Sequence, residues 1–347
     1  MFNKINQCTI TLTRNCNLRC SFCYAKETNY DDKKNIDITQ VKKLIDFCDK
    51  AKVKFIVFTG GEPLLYPQLL EILKYIKSKK HRIISTIATN GINLQDEFFC
   101  KELITNGIEY FDISLKGKNE EEWRLITGQK LLFLQQKAIQ NLSKLKVNFT
   151  CSIVLCKSNI ETFIETLKMA KKNGAKSFSF TFVIDNNYDK DQGIPYLKKR
   201  NPFELINKFI SKVDEINKIS DDWWIEYSYP LCMYTERQLQ ILKNRMAAPC
   251  QIHMKNAITV DTDMNLIPCN MCLDEIIGQF GIDFSSYDEF LLFKKNKNAK
   301  IIMNFLRKLP SEQCKSCIYK KSCYGGCPVL WRNYTFEDLV KFKNFLK

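Results

Sequence analysis

The chain has 347 residues, of which 45% are apolar and 16 are cysteine, and a formal net charge of +15. That length and composition exclude a disordered tail and a disulfide-stapled miniprotein, and the lack of any run of about 18 apolar residues excludes a membrane-spanning helix. His81 and His253 are the only histidines, which argues against a histidine-rich zinc site and a Cys/His nucleophile pair, so the cysteines point to metal.

The first residues, MFNKINQCTITLTRN, carry no apolar signal region and no small-residue cleavage site, so a cytoplasmic protein is expected. From residue 8 the chain alternates between two periodicities. CTITLT (8–13) is short and β-branched. ITQVKKLIDFCDKA (38–51) is helical, with Thr39 as the expected N-cap. KFIVFTGG (54–61) is a buried strand ending in glycines. YPQLLEILKYIKSKK (66–80) repeats Leu and Ile at helical spacing, with Pro67 suited to a first turn. RIISTIATNG (82–91) is a strand, LQDEFFCKELITNG (94–107) a helix stopped at Gly107, and IEYFDISLKG (108–117) a strand. LLFLQQKAIQNLSKLK (131–146) is a helix, VNFTCSIVL (147–155) a strand, NIETFIETLKMAKKNG (159–174) a helix and AKSFSFTFVI (175–184) a sixth strand.

Six strand–helix steps predict parallel strands joined by right-handed crossovers, with chemistry at the strands' C-terminal ends. The polar stretch 185–202 marks a boundary or an active-site lid. FELINKFISKVDEINKI (203–219) is a connecting helix, and the aromatic pair Trp223–Trp224 opens a second region as interface packing. Beyond it the βα alternation stops and cysteines gather at 232, 250, 269, 272, 314, 317, 323 and 327. FEDLVKFKNFLK closes the chain as an amphipathic helix. The expected organisation is an α/β barrel over 1–185, a loop and linker helix over 186–220, and a smaller Cys-rich domain over 221–347. The Lys/Arg excess is spread along the chain without a basic helix stripe or interleaved aromatics. It reads as solvated surface, which argues against nucleic acid and leaves an acidic peptide partner open.

Two motifs carry the chemistry. NCNLRCSFCYA (15–25) offers Cys16, Cys20 and Cys23, one thiolate short of an ordinary four-ligand site. Three thiolates can hold three irons of a 4Fe–4S cube and leave the fourth open, or form a zinc loop whose fourth ligand lies elsewhere. Cys8, Cys48 and Cys100 are in sequence range but sit in core-like surroundings. TGGEPLL (59–65) follows at the end of the second predicted strand.

Together CNLRCSFCY, with Phe22 as its aromatic, and TGGEP resemble the radical S-adenosylmethionine enzymes over roughly residues 5–185. The resemblance implies a partial (β/α)6 barrel. It also implies a 4Fe–4S cluster on Cys16, Cys20 and Cys23 whose open iron binds S-adenosylmethionine, and cleavage of that cofactor to a 5′-deoxyadenosyl radical that takes hydrogen from a substrate. Gly60, Gly61, Glu62 and Pro63 are then expected to shape the methionyl end. Ser114 and Arg124 match the polar and basic positions that contact ribose and carboxylate, and Asn90 lies near the adenosine or serves as a turn residue. Many relatives read SLDG where this chain reads SLKG, so Lys116 replaces an acidic residue.

CKSCIYKKSCYGGC, with Cys314, Cys317, Cys323 and Cys327, resembles the SPASM extension of that family, which holds auxiliary 4Fe–4S clusters. The upstream element fits Cys250 and Cys269, with Met264 at its glycine position. By the same resemblance Cys250, Cys269 and Cys327 share one cluster, and Cys314, Cys317 and Cys323 share the other. Each set is one cysteine short of four, and the further cysteine the family usually places after this run is absent, since none follows Cys327. Cys272 can replace one missing ligand, so one or two auxiliary clusters are expected. Cys232 is another candidate ligand, with a buried structural cysteine as the leading reading, and Cys156 ends the fifth strand, from where it could reach the active site.

SPASM-bearing relatives mostly modify peptides or proteins, by crosslinking or by residue oxidation. The leading expectation is a peptide maturase that uses a flavodoxin or ferredoxin as electron donor. The chain begins almost directly at the first strand, so leader recognition is expected from a separate partner or the basic surface. The alternative is a radical dehydrogenase of a small molecule such as a sugar or cofactor precursor. A degenerate scaffold is the non-enzymatic reading, and the intact motifs argue against it.

Overall fold

The computed structural model describes residues 4–27, 32–184, 201–226 and 229–344. The predicted strands appear as β1 (Gln7–Thr11), β2 (Phe55–Thr59), β3 (Ile84–Thr89), β4 (Ile108–Leu115), β5 (Asn148–Leu155) and β6 (Ser177–Phe182). Between them lie α1 (Ile38–Lys50), α2 (Leu69–Lys77), α3 (Glu97–Asn106), α4 (Glu120–Thr127), α5 (Leu132–Lys144) and α6 (Phe163–Lys172). The helices cover one face of the sheet with their apolar stripes. In α2 the buried set is Leu69, Ile72, Leu73 and Ile76, at i, i+3, i+4 and i+7. Burying each such side chain is worth about 1.5–3 kcal/mol.

Local signals correct several expected boundaries. Asp37, not Thr39, caps α1, its carboxylate accepting from Gln40 N at 3.0 Å. Pro67 lies just before α2 rather than in its first turn. The linker helix is two pieces, α7 (Pro202–Ser211) and α8 (Val213–Ile219), broken at Lys212. The boundary or lid reading of 185–202 falls on residues outside the described ones up to position 200.

The sheet runs further than the alternation suggests. Trp223 and Trp224 lie in β7 (Asp222–Ile225), parallel to β6 and packed on its aromatic core. Phe163, Phe180, Phe209 and Trp223 meet there with ring centroids 5.1–6.1 Å apart. On the other side, β8 (Ala257–Val260) pairs in parallel with β1, in the register Gln7↔Ala257 to Ile10↔Val260. The antiparallel strands β9 (Asn265–Ile267) and β10 (Gly278–Gln279) follow. The order is β10-β9-β8-β1-β2-β3-β4-β5-β6-β7, so among the described residues the sheet does not close on itself. The Cys-rich region is thus hydrogen-bonded onto the first strand. A second aromatic cluster, Phe47 of α1 with Phe280, Phe284, Tyr287 and Phe290, joins it to the helical layer. Among the described residues no helix is long and apolar enough to cross a membrane.

Candidate functional site

The cysteine loop leaves β1 and is tied on both sides. Arg19 N donates to Thr127 O at 3.0 Å and Ser21 N to Ile126 O at 2.8 Å, so the end of α4 holds the loop's middle. Leu18 anchors it in an apolar group with Ile92, Trp123 and Leu132, against which Cys16 and Cys20 pack. Leu18 N donates to Cys16 Sγ at 3.4 Å, and Cys23 N to Cys20 O at 3.1 Å.

Glycine is demanded where this loop meets TGGEP. A Cβ on Gly60 would lie 2.4 Å from Thr13 O, and one on Gly61 2.4 Å from Asn15 O. The approach is sealed by Gly61 N donating to Thr13 O at 2.7 Å and Glu62 N to Asn15 O at 2.8 Å. Both glycines therefore let the GGEP backbone close on the cysteine loop. Glu62 is buried and fully engaged: it accepts from Thr89 Oγ1 at 2.6 Å, Leu64 N at 3.1 Å and Asn90 N at 2.8 Å. Burial raises its carboxyl, and those hydrogen bonds and Lys116 oppose the rise. Pro63 opens the short 3-10 turn that follows.

Asn90 is a strut between motifs. Its Nδ2 donates to Asn17 Oδ1 at 2.8 Å, its Oδ1 accepts from Ile92 N at 3.0 Å, and its carbonyl accepts from Gln135 Nε2 at 2.7 Å. Lys116 is buried, donates to Ser114 Oγ at 2.6 Å and lies 5.2 Å from the centroid of the Phe22 ring. Arg124 is not brought into this constellation. It lies on the outer face of α4, half exposed, paired with Glu121 at 3.4 Å. Helical phase explains this, because Trp123, Ile126 and Thr127 take the inner face.

The sheet face opposite the helices is polar across β4 to β6. Tyr110 meets Thr150, and Thr150 Oγ1 donates to Ser177 Oγ at 3.1 Å. Asp112 is bonded to Ser152 and faces Glu226 and Lys116. Burial, then Glu226, raises its carboxyl to about 6 against that bond and Lys116, and its Oδ1 has no hydrogen-bond partner. The residue two positions before Ser114 on a strand points the same way, a signal that picks out Asp112 in the sequence. Cys156 is buried beside Ser158, Sγ to Oγ 2.9 Å.

In the Cys-rich region the thiols fall into two groups. Cys269 and Cys272 are 3.6 Å apart, sulfur to sulfur, and Cys250 and Cys327 lie in electrostatic range of Cys269. Cys250 caps a helical turn, its Sγ accepting from Ile252 N at 3.3 Å. His253 bonds to Gly326 O at 3.0 Å and stacks on Tyr324, which locks the two cysteine segments together. Met264, at the expected glycine position, adopts the left-handed turn itself with φ 63°. Asp261 braces the turn by accepting from Asp263 N and Asn265 N. The second group is Cys314, Cys317 and Cys323, with Cys232 beside them. Tyr24, in range of both Cys23 and Cys269, lies between the first loop and the first of these groups.

Among the described residues no three Cys, His, Asp or Glu side chains converge as placed on a single ion. The donor chemistry does fit an iron–sulfur group. Burial pushes Cys16 up to about 12 and Cys250 to about 11, with Cys314 and Cys327 also raised, and the contact with Cys272, then burial, raises Cys269. Such thiols become thiolates against a bound cation, and backbone N–H groups donate to the sulfurs of Cys16, Cys250 and Cys323.

Three comparisons place the chain among known proteins. A GTP 3′,8-cyclase of Clostridium perfringens is 30% identical over 176 residues, 49% of this chain and 53% of that protein, so the chain spans about half that relative's length. A probable GTP 3′,8-cyclase of Methanococcus aeolicus is 25% identical over 294 residues, 80% of this chain and 95% of that protein. In structure, Streptococcus suis SuiB bound to its precursor peptide SuiA superposes with a TM-score of 0.71 at 17% identity, over 94% of this chain and 73% of that one. The Radical SAM superfamily profile matches residues 10–192, more than half of the chain. The chain belongs to the radical S-adenosylmethionine superfamily.

Proposed function

We propose that this radical S-adenosylmethionine enzyme acts on a peptide or protein substrate, forming a crosslink or oxidising a residue. A 4Fe–4S cluster with bound S-adenosylmethionine supplies the one-electron cleavage that generates a 5′-deoxyadenosyl radical. Cys16, Cys20 and Cys23 hold that cluster. Phe22, Lys116 and Ser114 wall the space beside it. Gly60, Gly61, Glu62, Pro63 and Asn90 fix the cysteine loop against the strand ends, and the polar face with Asp112 receives the substrate. Arg124, exposed and paired with Glu121, reaches cofactor only if α4 shifts. The Cys-rich region holds auxiliary iron–sulfur clusters, and a flavodoxin or ferredoxin supplies electrons.

The observation that carries this reading is the pair of thiol groups built onto the barrel's own sheet through β8. The likeness to SuiB over 94% of this chain and 73% of that one, solved with a precursor peptide, supports it. A second reading, a small-molecule radical enzyme on a cofactor precursor, is supported by the GTP cyclases among the sequence relatives. The test is anaerobic incubation with reductant and S-adenosylmethionine plus either GTP or short Cys-rich peptides encoded beside this chain's gene. A peptide that loses two hydrogens as 5′-deoxyadenosine appears supports the first reading. Consumption of GTP supports the second. No 5′-deoxyadenosine under any condition would sink both.

A further inference from the structure

The Cys314–Cys317–Cys323 run lacks its fourth partner in sequence, and the fold brings one to it from 82 residues before Cys314. Residues Leu231–Met233 form a 3-10 turn capped by Pro230. Leu231 N donates to Cys323 Sγ at 3.3 Å, so the backbone beside Cys232 is aimed at a sulfur of the run. Leu231 and Cys323 share one buried apolar group, against which Tyr319 packs. The fit is tight: a Cβ on Gly326 would lie 2.7 Å from Pro230 N. Leu231, Met233 and Tyr234 all turn into the core, while Cys232 alone in this stretch is open. Its thiol is in electrostatic range of Cys323, Cys314 and Cys317. Lys343 Nζ donates to its carbonyl at 3.0 Å, which adds a cation beside an anionic cluster. Cys272 is not free for this role, since its sulfur is 3.6 Å from Cys269 in the other group.

We propose that Cys232 is the fourth protein ligand of the cluster held by Cys314, Cys317 and Cys323. The inference rests on the auxiliary-cluster reading above. Ligation deprotonates the Cys232 thiol to solvent and forms an Fe–S bond. With Cys272 completing the other group, neither auxiliary cluster keeps an open iron.

The experiment uses the full chain carrying Cys16, Cys20 and Cys23→Ala, reconstituted anaerobically, with iron and sulfide counts and Mössbauer and electron paramagnetic resonance spectra. This background is expected to hold about eight irons as two cubes. Adding Cys232→Ala is expected to lower iron by between about one and about four, as a three-iron species or a lost cluster, and Cys232→Ser to shift the spectrum of one cube. Cys156→Ala leaves both unchanged. Full iron and unaltered spectra in Cys232→Ala would overturn the ligand assignment while leaving the second cluster intact. If Cys314, Cys317 and Cys323→Ala costs no iron, the auxiliary-cluster reading fails and the proposal with it. Circular dichroism checks folding, which the open position of Cys232 favours.

Discussion

The Lys116 ammonium lies 5.2 Å from the centroid of the Phe22 ring, so a buried cation from the end of β4 faces the aromatic of the cysteine motif. It is also the positive charge nearest two buried carboxyls, since it opposes the upward shifts of both Glu62 and Asp112. Replacing an acidic residue with lysine here therefore neutralises a site that would otherwise be anionic. Lys116→Met keeps the stem and deletes the charge. It is expected to lower stability by about 1–3 kcal/mol, because a buried group that loses its partner keeps its desolvation cost. Urea midpoints of the two proteins at pH 7 check this, and equal midpoints would show that Lys116 balances no charge.

Asp112 makes stability depend on pH with a definite sign. Its folded carboxyl titrates at about 6, above its ordinary value of 3.8. The folded form therefore holds its proton longer than the unfolded chain does. That contribution is complete below about pH 4 and is lost as pH rises through about 6. Asp112→Asn removes the dependence and should be more stable than the parent at pH 8, by up to about 3 kcal/mol, with little difference at pH 4. Denaturation curves at the two pH values decide it. Parallel pH profiles would mean that Asp112 ionises normally.

Gly61→Ala sets a methyl against the Asn15 and Arg14 carbonyl oxygens, at 2.4 and 2.6 Å. Backbone cannot rotate away as a side chain can. A stability loss of about 1–3 kcal/mol is expected, together with loss of the first cluster, about four irons. Gly128→Ala is the contrast: nothing lies within 4 Å of the added methyl, and only the left-handed φ of 79° resists it. That costs about 1 kcal/mol and no iron. Equal iron contents in the two variants would detach the glycine pair from cluster binding.

The triple variant Cys16, Cys20 and Cys23→Ala should lose about four irons and all 5′-deoxyadenosine formation while keeping its auxiliary iron. Iron analysis and chromatography of the quenched reaction read both. Undiminished iron would move the first cluster elsewhere.

The barrel was legible because the strands β1 to β6 and the helices between them keep the right periods, and several of them stop at glycine, as β3 does at Asn90–Gly91, α3 at Gly107 and α6 at Asn173–Gly174. β7 was not, since DWWI is four residues long and stands alone after a polar stretch. α4 was overlooked although Asn119 and Gly128 bracket it as caps; without the helix, its phase and the outward aim of Arg124 could not be seen. The three cysteines of the opening motif are local in sequence and were found there. The company Cys232 keeps depends on the contact of its neighbour Leu231 with Cys323 across 92 residues, which no local pattern encodes. Met264 shows the opposite failure. The motif expects glycine there, yet the turn forms with methionine, because its side chain is buried and Asp261 holds the backbone.

The parallel pairing of β1 with β8 sets an order of events during synthesis. Gln7 meets Ala257, so one edge of the first strand has no partner until some 250 residues later in the chain have left the ribosome. Through that interval the strand that carries the first cysteine loop is an open edge, exposed to other chains. Iron delivered to Cys16, Cys20 and Cys23 during translation would meet a half-built support. Cluster loading should therefore follow release of the chain, and a ribosome-stalled product ending before residue 250 should take up less iron per Cys16–Cys23 loop than the finished protein.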